Sequence, residues 1–123
     1  MEIKPIYVSY QQAKLIKEKG FDVRLKKVYN ILGELLDSHY EYMVNSNPDC
    51  GAVCVAPEQW VVVEWASLVH NIDIEARPVR YAGDKSTSYY QPYINGCIVN
   101  LNKFITRQDA TSSAIDYVLT NLI

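Results

Sequence analysis

The dipeptide Asn95-Gly96 places the tightest constraint on what this chain can fold into. It lies between two runs of strand-forming residues, 87–94 and 97–101. Asn-Gly takes with little strain the two positive φ values of a type I′ turn, whose twist matches that of two paired strands. The pair therefore specifies an antiparallel hairpin closed within two residues. A second strand signal lies upstream, where Ile72, Ile74 and Ala76 alternate with Asp73, Glu75 and Arg77, the period of a half-buried strand. Pro78 cannot donate to a ladder, so a sheet edge or a bulge is expected there. An edge of that kind leaves room for homodimerisation.

Helix punctuation appears at three places. Ser9 with Gln12 three residues later forms a capping box, and Val8 with Ala13 forms a hydrophobic staple. Gly20 supplies the stop, with Phe21 folding back on Ile16. A second helix is expected to begin at Pro57, whose missing N–H costs nothing at a first helical position. Glu58 there suits the positive end of the helix dipole. Its core stripe reads as Val61, Trp65, Leu68 and Val69, although the branched Val61-Val62-Val63 run is stiff in a helix. Thr106 with Asp109 starts the last helix, and Ala110, Ala114, Tyr117, Val118 and Leu122 line its packed face. Residues 45–49 and 82–86 read as loop and turn, and Val53-Cys54-Val55 as a short buried strand. Residues 23–36 suit a helix by composition. They also suit two strands, with Val28-Tyr29 and Leu35-Leu36 flanking the loop Asn30-Ile31-Leu32-Gly33-Glu34.

A chain of 123 residues suits one domain, 1–123. With 49% hydrophobic and 21% charged residues it has enough apolar surface to offset chain entropy, so disorder is not expected. No apolar run approaches the ~20 residues of a membrane span. The start, Met1-Glu2-Ile3-Lys4-Pro5, lacks the apolar stretch of a secretory signal. A cytoplasmic protein that does not enter the membrane is the expectation. Three cysteines fit it, since an odd number cannot complete a disulfide framework. The net charge of −2 is unevenly spread: residues 1–27 are net basic, and residues 28–75 contain no Lys or Arg. Such blocks steer charged partners or offset each other within the fold, and the second reading is favoured.

Four constellations bear on chemistry. Cys50 and Cys54 have zinc-compatible spacing, with His39, His70 and Cys97 elsewhere, but no second close pair follows, so neither a metal site nor any cofactor is expected. Cys54 or Cys97 with His70 would make a nucleophile and base, yet nothing in the sequence brings them together. His70 near a helix C-terminus complements the dipole on its own. Glu64, Asp73, Glu75, Glu34 and Asp37 form a carboxylate set, but Asp73 and Glu75 occupy the outward phase of a strand, where charge belongs. The fourth is a tyrosine-rich ribbon, Arg77, Arg80, Tyr81, Tyr89, Tyr90 and Tyr93, with Lys85 between. Basic residues among aromatics on strands suit single-stranded nucleic acid. Tyrosine equally suits protein contacts, and β-propensity alone produces such a ribbon. The acidic overall charge ranks nucleic acid below a protein interface.

Three stretches resemble a group of uncharacterised small proteins of Bacteroidetes phages, prophage-like elements and their hosts. They are residues 8–22, from Val8-Ser9-Tyr10 to Gly20-Phe21-Asp22; residues 56–74, from Ala56-Pro57-Glu58-Gln59-Trp60 through Trp65 to His70-Asn71-Ile72-Asp73-Ile74; and residues 114–123, from Ala114-Ile115-Asp116-Tyr117 to Asn121-Leu122-Ile123. The chain departs from the group at Ala66 and matches it poorly over 41–54. In the group the stretch around Tyr29 and Gly33 is strand-turn-strand, which selects two strands for 23–36. The resemblance carries no assigned activity and implies a mobile-element setting only.

The expected fold is α+β, three helices packed on a mostly antiparallel sheet of about four to six short strands. The expected function is an accessory protein-binding module of a phage or mobile element. Nucleic-acid binding through the tyrosine and arginine ribbon is the alternative, with a small enzyme of unrecognised type third. The balance leans away from an enzyme.

Overall fold

A computed structural model describes residues 3–38, 42–46, 51–79, 89–100 and 102–123. Among these the chain forms three α-helices and six strands, an α+β fold whose strands divide between two three-stranded antiparallel sheets. Contacts separate it into two compact units, residues 1–61 and 62–123, with the division inside the second helix.

In the first unit, helix α1 (Tyr10–Glu18) is closed at both ends by its own sequence. The Ser9 hydroxyl accepts from the Gln12 N–H, and the Gln12 side-chain oxygen accepts from the Ser9 N–H, each at 3.1 Å. Phe21 N–H donates to Ile16 O (3.0 Å) and Gly20 N–H to Lys17 O (3.2 Å), the two bonds of a Schellman ending. Val8, Ala13, Ile16 and Phe21 are fully buried, so the staple and the fold-back form as expected. Strands β1 (Lys27–Asn30) and β2 (Leu35–Asp37) make the hairpin chosen for 23–36, in register Lys27 to Asp37 and Tyr29 to Leu35. Strand β3 (Ala52–Val55) pairs on the other side of β1, with a bulge between Tyr29 and Asn30. The sheet order is β2-β1-β3, and α1 packs on β3, where the Lys17 ammonium donates to Val53 O (2.5 Å). Asn45 is buried and joins two segments: its Nδ2 donates to Phe21 O (2.7 Å) and its Oδ1 accepts from Val55 N–H (2.9 Å). Of the loop expected over 45–49, Asn45 and Ser46 form a turn, and the remainder lies outside the described residues.

Helix α2 (Gln59–His70) begins two residues later than its proline suggested. The backbone before it is committed to the N-terminal segment: Val8 N–H donates to Pro57 O (3.0 Å), Tyr7 bridges Glu58, and Gln59 N–H donates to Ile6 O (2.8 Å). Pro57 is therefore part of an extended pairing and not a first helical position. The expected core stripe is also shifted. Val62, Trp65 and Ala66 are buried, Val61 is half-buried, and Leu68 and Val69 are exposed. Asn71, with φ of 56°, ends the helix.

The second unit carries strands β4 (Ile74–Val79), β5 (Tyr89–Ile94) and β6 (Cys97–Ile98), in that order across the sheet. Asn95 and Gly96 have φ of 51° and 79°, as a type I′ turn requires. Pro78 sits on the edge strand β4, as its missing N–H demands. Helix α3 (Arg107–Tyr117) is capped by Thr106, whose hydroxyl accepts from Asp109 N–H (3.1 Å), and it packs on β4 and β5. Ala110, Ala114 and Val118 are buried as expected, but Ile115 and Leu119 complete the face, while Tyr117 and Leu122 are exposed. The chain ends in a wider π-helical turn, Val118–Leu122. No described helix is long and apolar enough to cross a membrane.

Candidate protein-interaction surfaces

The β4–β5 register decides how the tyrosine ribbon is arranged. Glu75 lies opposite Tyr93, Arg77 opposite Gln91, and Val79 opposite Tyr89. Paired residues share a face of the sheet, and neighbours along a strand alternate. Tyr89 and Tyr93 therefore share a face with Arg77, and Tyr90 lies on the opposite one. The Arg77 guanidinium carbon sits 4.2 Å from the Tyr93 ring centroid. Its Nε and Nη2 donate to the two carboxylate oxygens of Glu75 at 3.1 and 3.3 Å. This fork lowers the Glu75 carboxyl below its ordinary range and raises Arg77, the hydrogen bond being the main cause in each direction. Tyr89 receives the Lys103 ammonium at 5.8 Å from its ring centre, and Tyr90 receives the Arg107 guanidinium at 5.2 Å. Lys103 and Arg107 are cationic partners that the sequence did not single out. Arg80, Tyr81 and Lys85 lie outside the described residues. The ribbon is thus two faces, and the face holding Arg77 already carries the countercharge of its arginine.

A second surface, missed in the sequence, is the β1–β2 hairpin. Ile31 and Leu32 at its tip are 79% and 77% exposed, and Leu35 and Leu36 on β2 are 39% and 45% exposed. The tip is held in one shape. Asn30 Oδ1 accepts from the Leu32 and Glu34 N–H groups (2.9 and 3.0 Å), and Asn30 Nδ2 donates to Glu34 (3.3 Å). Gly33 N–H donates to Asn30 O (2.9 Å). Among the described residues β2 is the outer strand of its sheet, and its three residues include no lysine, proline or bulge. Those are among the devices that blunt a sheet edge; shortness and the charge of Asp37 are the ones β2 does carry. Lys27 and Asp37 pair across the hairpin at 3.0 Å, which raises Lys27 chiefly through that hydrogen bond. The run of apolar residues at 31–32 and 35–36 was the available signal. Residues 31–32 fall in the expected loop and 35–36 in the expected strand, and residue type alone does not show that all four are exposed.

A third feature is a shallow open groove of about 390 Å³ beside the N-terminal segment, lined by Pro5, Ile6, Glu58 and Trp60 among others. The Trp60 indole N–H donates to Glu58 Oε2 (3.1 Å), which fixes the ring at the groove wall.

The remaining constellations do not converge. Cys54 is buried, and burial pushes its thiol up, against smaller opposing effects of Lys17 and Lys14. Cys97 is exposed, and no hydrogen bond joins it to His70, whose ring packs edge-on against Trp65 at 4.7 Å and 77°. Glu34, Asp37, Asp73 and Glu75 each bond a local neighbour: Asn30, Lys27, Ser67 and Arg77. Among the described residues no group of three or more His, Cys, Asp or Glu side chains is placed to hold a metal ion, and Cys50 and His39 lie outside them. Comparison with protein-family models, with curated proteins and with solved structures gives no match.

Proposed function

We propose that this chain is a protein-binding module that receives an extended segment of a partner protein along β2. The observation that carries the reading is the hairpin: a hydrogen-bonded tip with two exposed aliphatic side chains, continued by a strand with two more that is outermost among the described residues. An added strand gains main-chain hydrogen bonds from the open edge, while apolar side chains beside it supply the burial. Glu34, exposed at the tip, and the absence of Lys or Arg over 28–75 favour a segment with basic residues flanking apolar ones. The Tyr93 and Arg77 face offers a further protein contact. It favours nucleic acid less, because Glu75 neutralises the arginine that a phosphate would need. A cytoplasmic location and a phage or mobile-element setting complete the proposal, the latter resting on the resemblance over residues 8–22, 56–74 and 114–123.

The test is capture of partners by the tagged chain from bacterial lysate, with and without nuclease, followed by hydrogen exchange on the purified complex. A nuclease-resistant protein partner that slows exchange at residues 35–37, and that the Ile31→Lys, Leu32→Lys double variant does not retain, is the expected result. Retention by that variant, or protection confined to β4 and β5, overturns the hairpin assignment. An eluate lost to nuclease moves the reading to nucleic acid.

A further inference from the structure

We propose that Asn95 is a site of spontaneous covalent modification in the folded protein: deamidation through a succinimide to aspartate and isoaspartate, which unfastens β6 from β5. Asn95 is the one asparagine in the sequence followed by glycine. Both residues are exposed at the turn. Neither the attacking nitrogen nor the leaving nitrogen is engaged by a described residue. The Gly96 N–H makes no hydrogen bond to a described residue, and a Cβ built on Gly96 would meet nothing within 4 Å. The Asn95 Nδ2, the leaving group, has no partner among the described residues. The Asn95 Oδ1 accepts the Asp73 N–H at 2.8 Å. A fixed donor on that oxygen polarises Cγ and stabilises the negative charge that builds there on attack.

The reaction needs only water. Gly96 N loses its proton to solvent and forms a bond to Asn95 Cγ. The Cγ–Nδ2 bond breaks, and Nδ2 leaves as ammonia with a proton from water. Water then opens the ring at one of its two carbonyls. Cleavage of the new Cγ–N bond gives aspartate. Cleavage at the backbone carbonyl gives isoaspartate, in which the chain runs through Cβ and contains one more carbon. No electron transfer occurs and no other reactant enters.

The rest of the fold makes the site selective. Asn45, followed by Ser46, is the next least hindered candidate by its neighbour, but it is buried, and its Nδ2, which would have to leave, is held by Phe21 O. The consequence also follows from geometry. A type I′ turn closes over two residues in the left-handed region, and an extra backbone atom breaks that closure. The turn is fastened by Asn95 N–H to Asp73 O (2.8 Å) and Asp73 N–H to Asn95 Oδ1, and β6 contributes only two residues to the sheet.

The test follows the folded 123-residue chain over time at mildly alkaline pH by peptide mapping with detection of isoaspartate. The Asn95→Gly variant, which accepts the positive φ and has no amide to lose, runs beside it. Acidic product should accumulate at residue 95 several-fold faster than at any other asparagine. It should be absent from Asn95→Gly, and exchange protection of β6 should fall in step with isoaspartate. The Asn95→Asp variant, which adds the charge without the extra backbone atom, should keep that protection. If residue 95 stays amidated in the folded chain while it converts in urea, or if Asn95→Gly produces the same acidic species, the proposal fails.

Discussion

The Cβ that an alanine would place at Gly33 lies 3.0 Å from Cδ2 of Tyr10. Gly33 also has φ of 76°. The hairpin tip thus rests its backbone directly on an α1 tyrosine, which in turn packs at 5.4 Å against Tyr29 of β1. Tyr29 donates its buried hydroxyl to Val8 O at 2.6 Å. The exposed Ile31 and Leu32 are therefore presented from a tip that is supported from beneath. Gly33→Ala meets both the left-handed backbone and the ring, and should destabilise by about 1–2 kcal/mol, since a Cβ in that region costs roughly this much per residue. Gly33→Asn, better tolerated at positive φ, should recover part of the loss. Urea unfolding midpoints of the two variants check this.

Asn45 is a buried polar side chain that satisfies a carbonyl and an N–H from two separate segments. Asn45→Ala leaves both unpaired away from water. A cost of roughly 2–4 kcal/mol is expected, because each stranded group forfeits its desolvation penalty. Asn45→Asp keeps the acceptor for Val55 N–H but sets a carboxylate against the Phe21 carbonyl, and should be no better. Chemical denaturation, read by tyrosine and tryptophan fluorescence, measures both.

Asp22 accepts the Ser46 N–H (2.9 Å) and the Ser46 hydroxyl (2.8 Å), and these bonds hold its carboxyl below the ordinary 3.8. A depressed folded-state value means the contribution is complete above the unfolded value and is lost as pH falls through the folded one. Glu75, lowered from 4.5 by Arg77, behaves in the same sense. Stability should be flat in these terms from neutral pH down to about pH 5, and should fall progressively below the 3.8 to 4.5 region. Asp22→Asn should show a shallower acid limb in thermal melts between neutral pH and pH ~2.

Thiol chemistry separates the two described cysteines. Cys97 is exposed beside the turn, whereas Cys54 is fully buried with its thiolate disfavoured by burial. A thiol reagent should modify Cys97 in the native chain well before Cys54. Mass-mapped labelling that finds Cys54 modified first would show that β3 opens readily.

Much of this architecture was legible because its causes are local. The Ser9–Gln12 box, the Thr106–Asp109 cap and the Gly20 stop each close hydrogen bonds within a few residues, and the Asn95-Gly96 turn takes its two positive φ values to set Ile94 against Cys97. The loop from Asn30 to Glu34 is likewise fixed by bonds made inside itself. A sequence window contains all the atoms involved, so residue type and spacing suffice.

Other features needed partners far along the chain. Helix α2 is apolar on nearly every side, from Trp60 through Val61-Val62-Val63 to Leu68 and Val69, so periodicity could not choose a face. Packing chose Val62, Trp65 and Ala66. Its start moved from Pro57 to Gln59 because residues 6–8 claimed the backbone of residues 57–59. In α3 and the turn that follows it, Ile115 and Leu119 are buried in place of Tyr117 and Leu122. The candidate surfaces were decided in the same way. Strand register set Arg77 on Tyr93 beside Glu75, and it split Tyr89 and Tyr93 from Tyr90. Leucines at 35 and 36 read as ordinary strand residues until β2 proved to be an outer strand. Local bonds are encoded by neighbours in the chain, whereas the choice of which apolar face is covered belongs to contacts that exist only after distant segments meet.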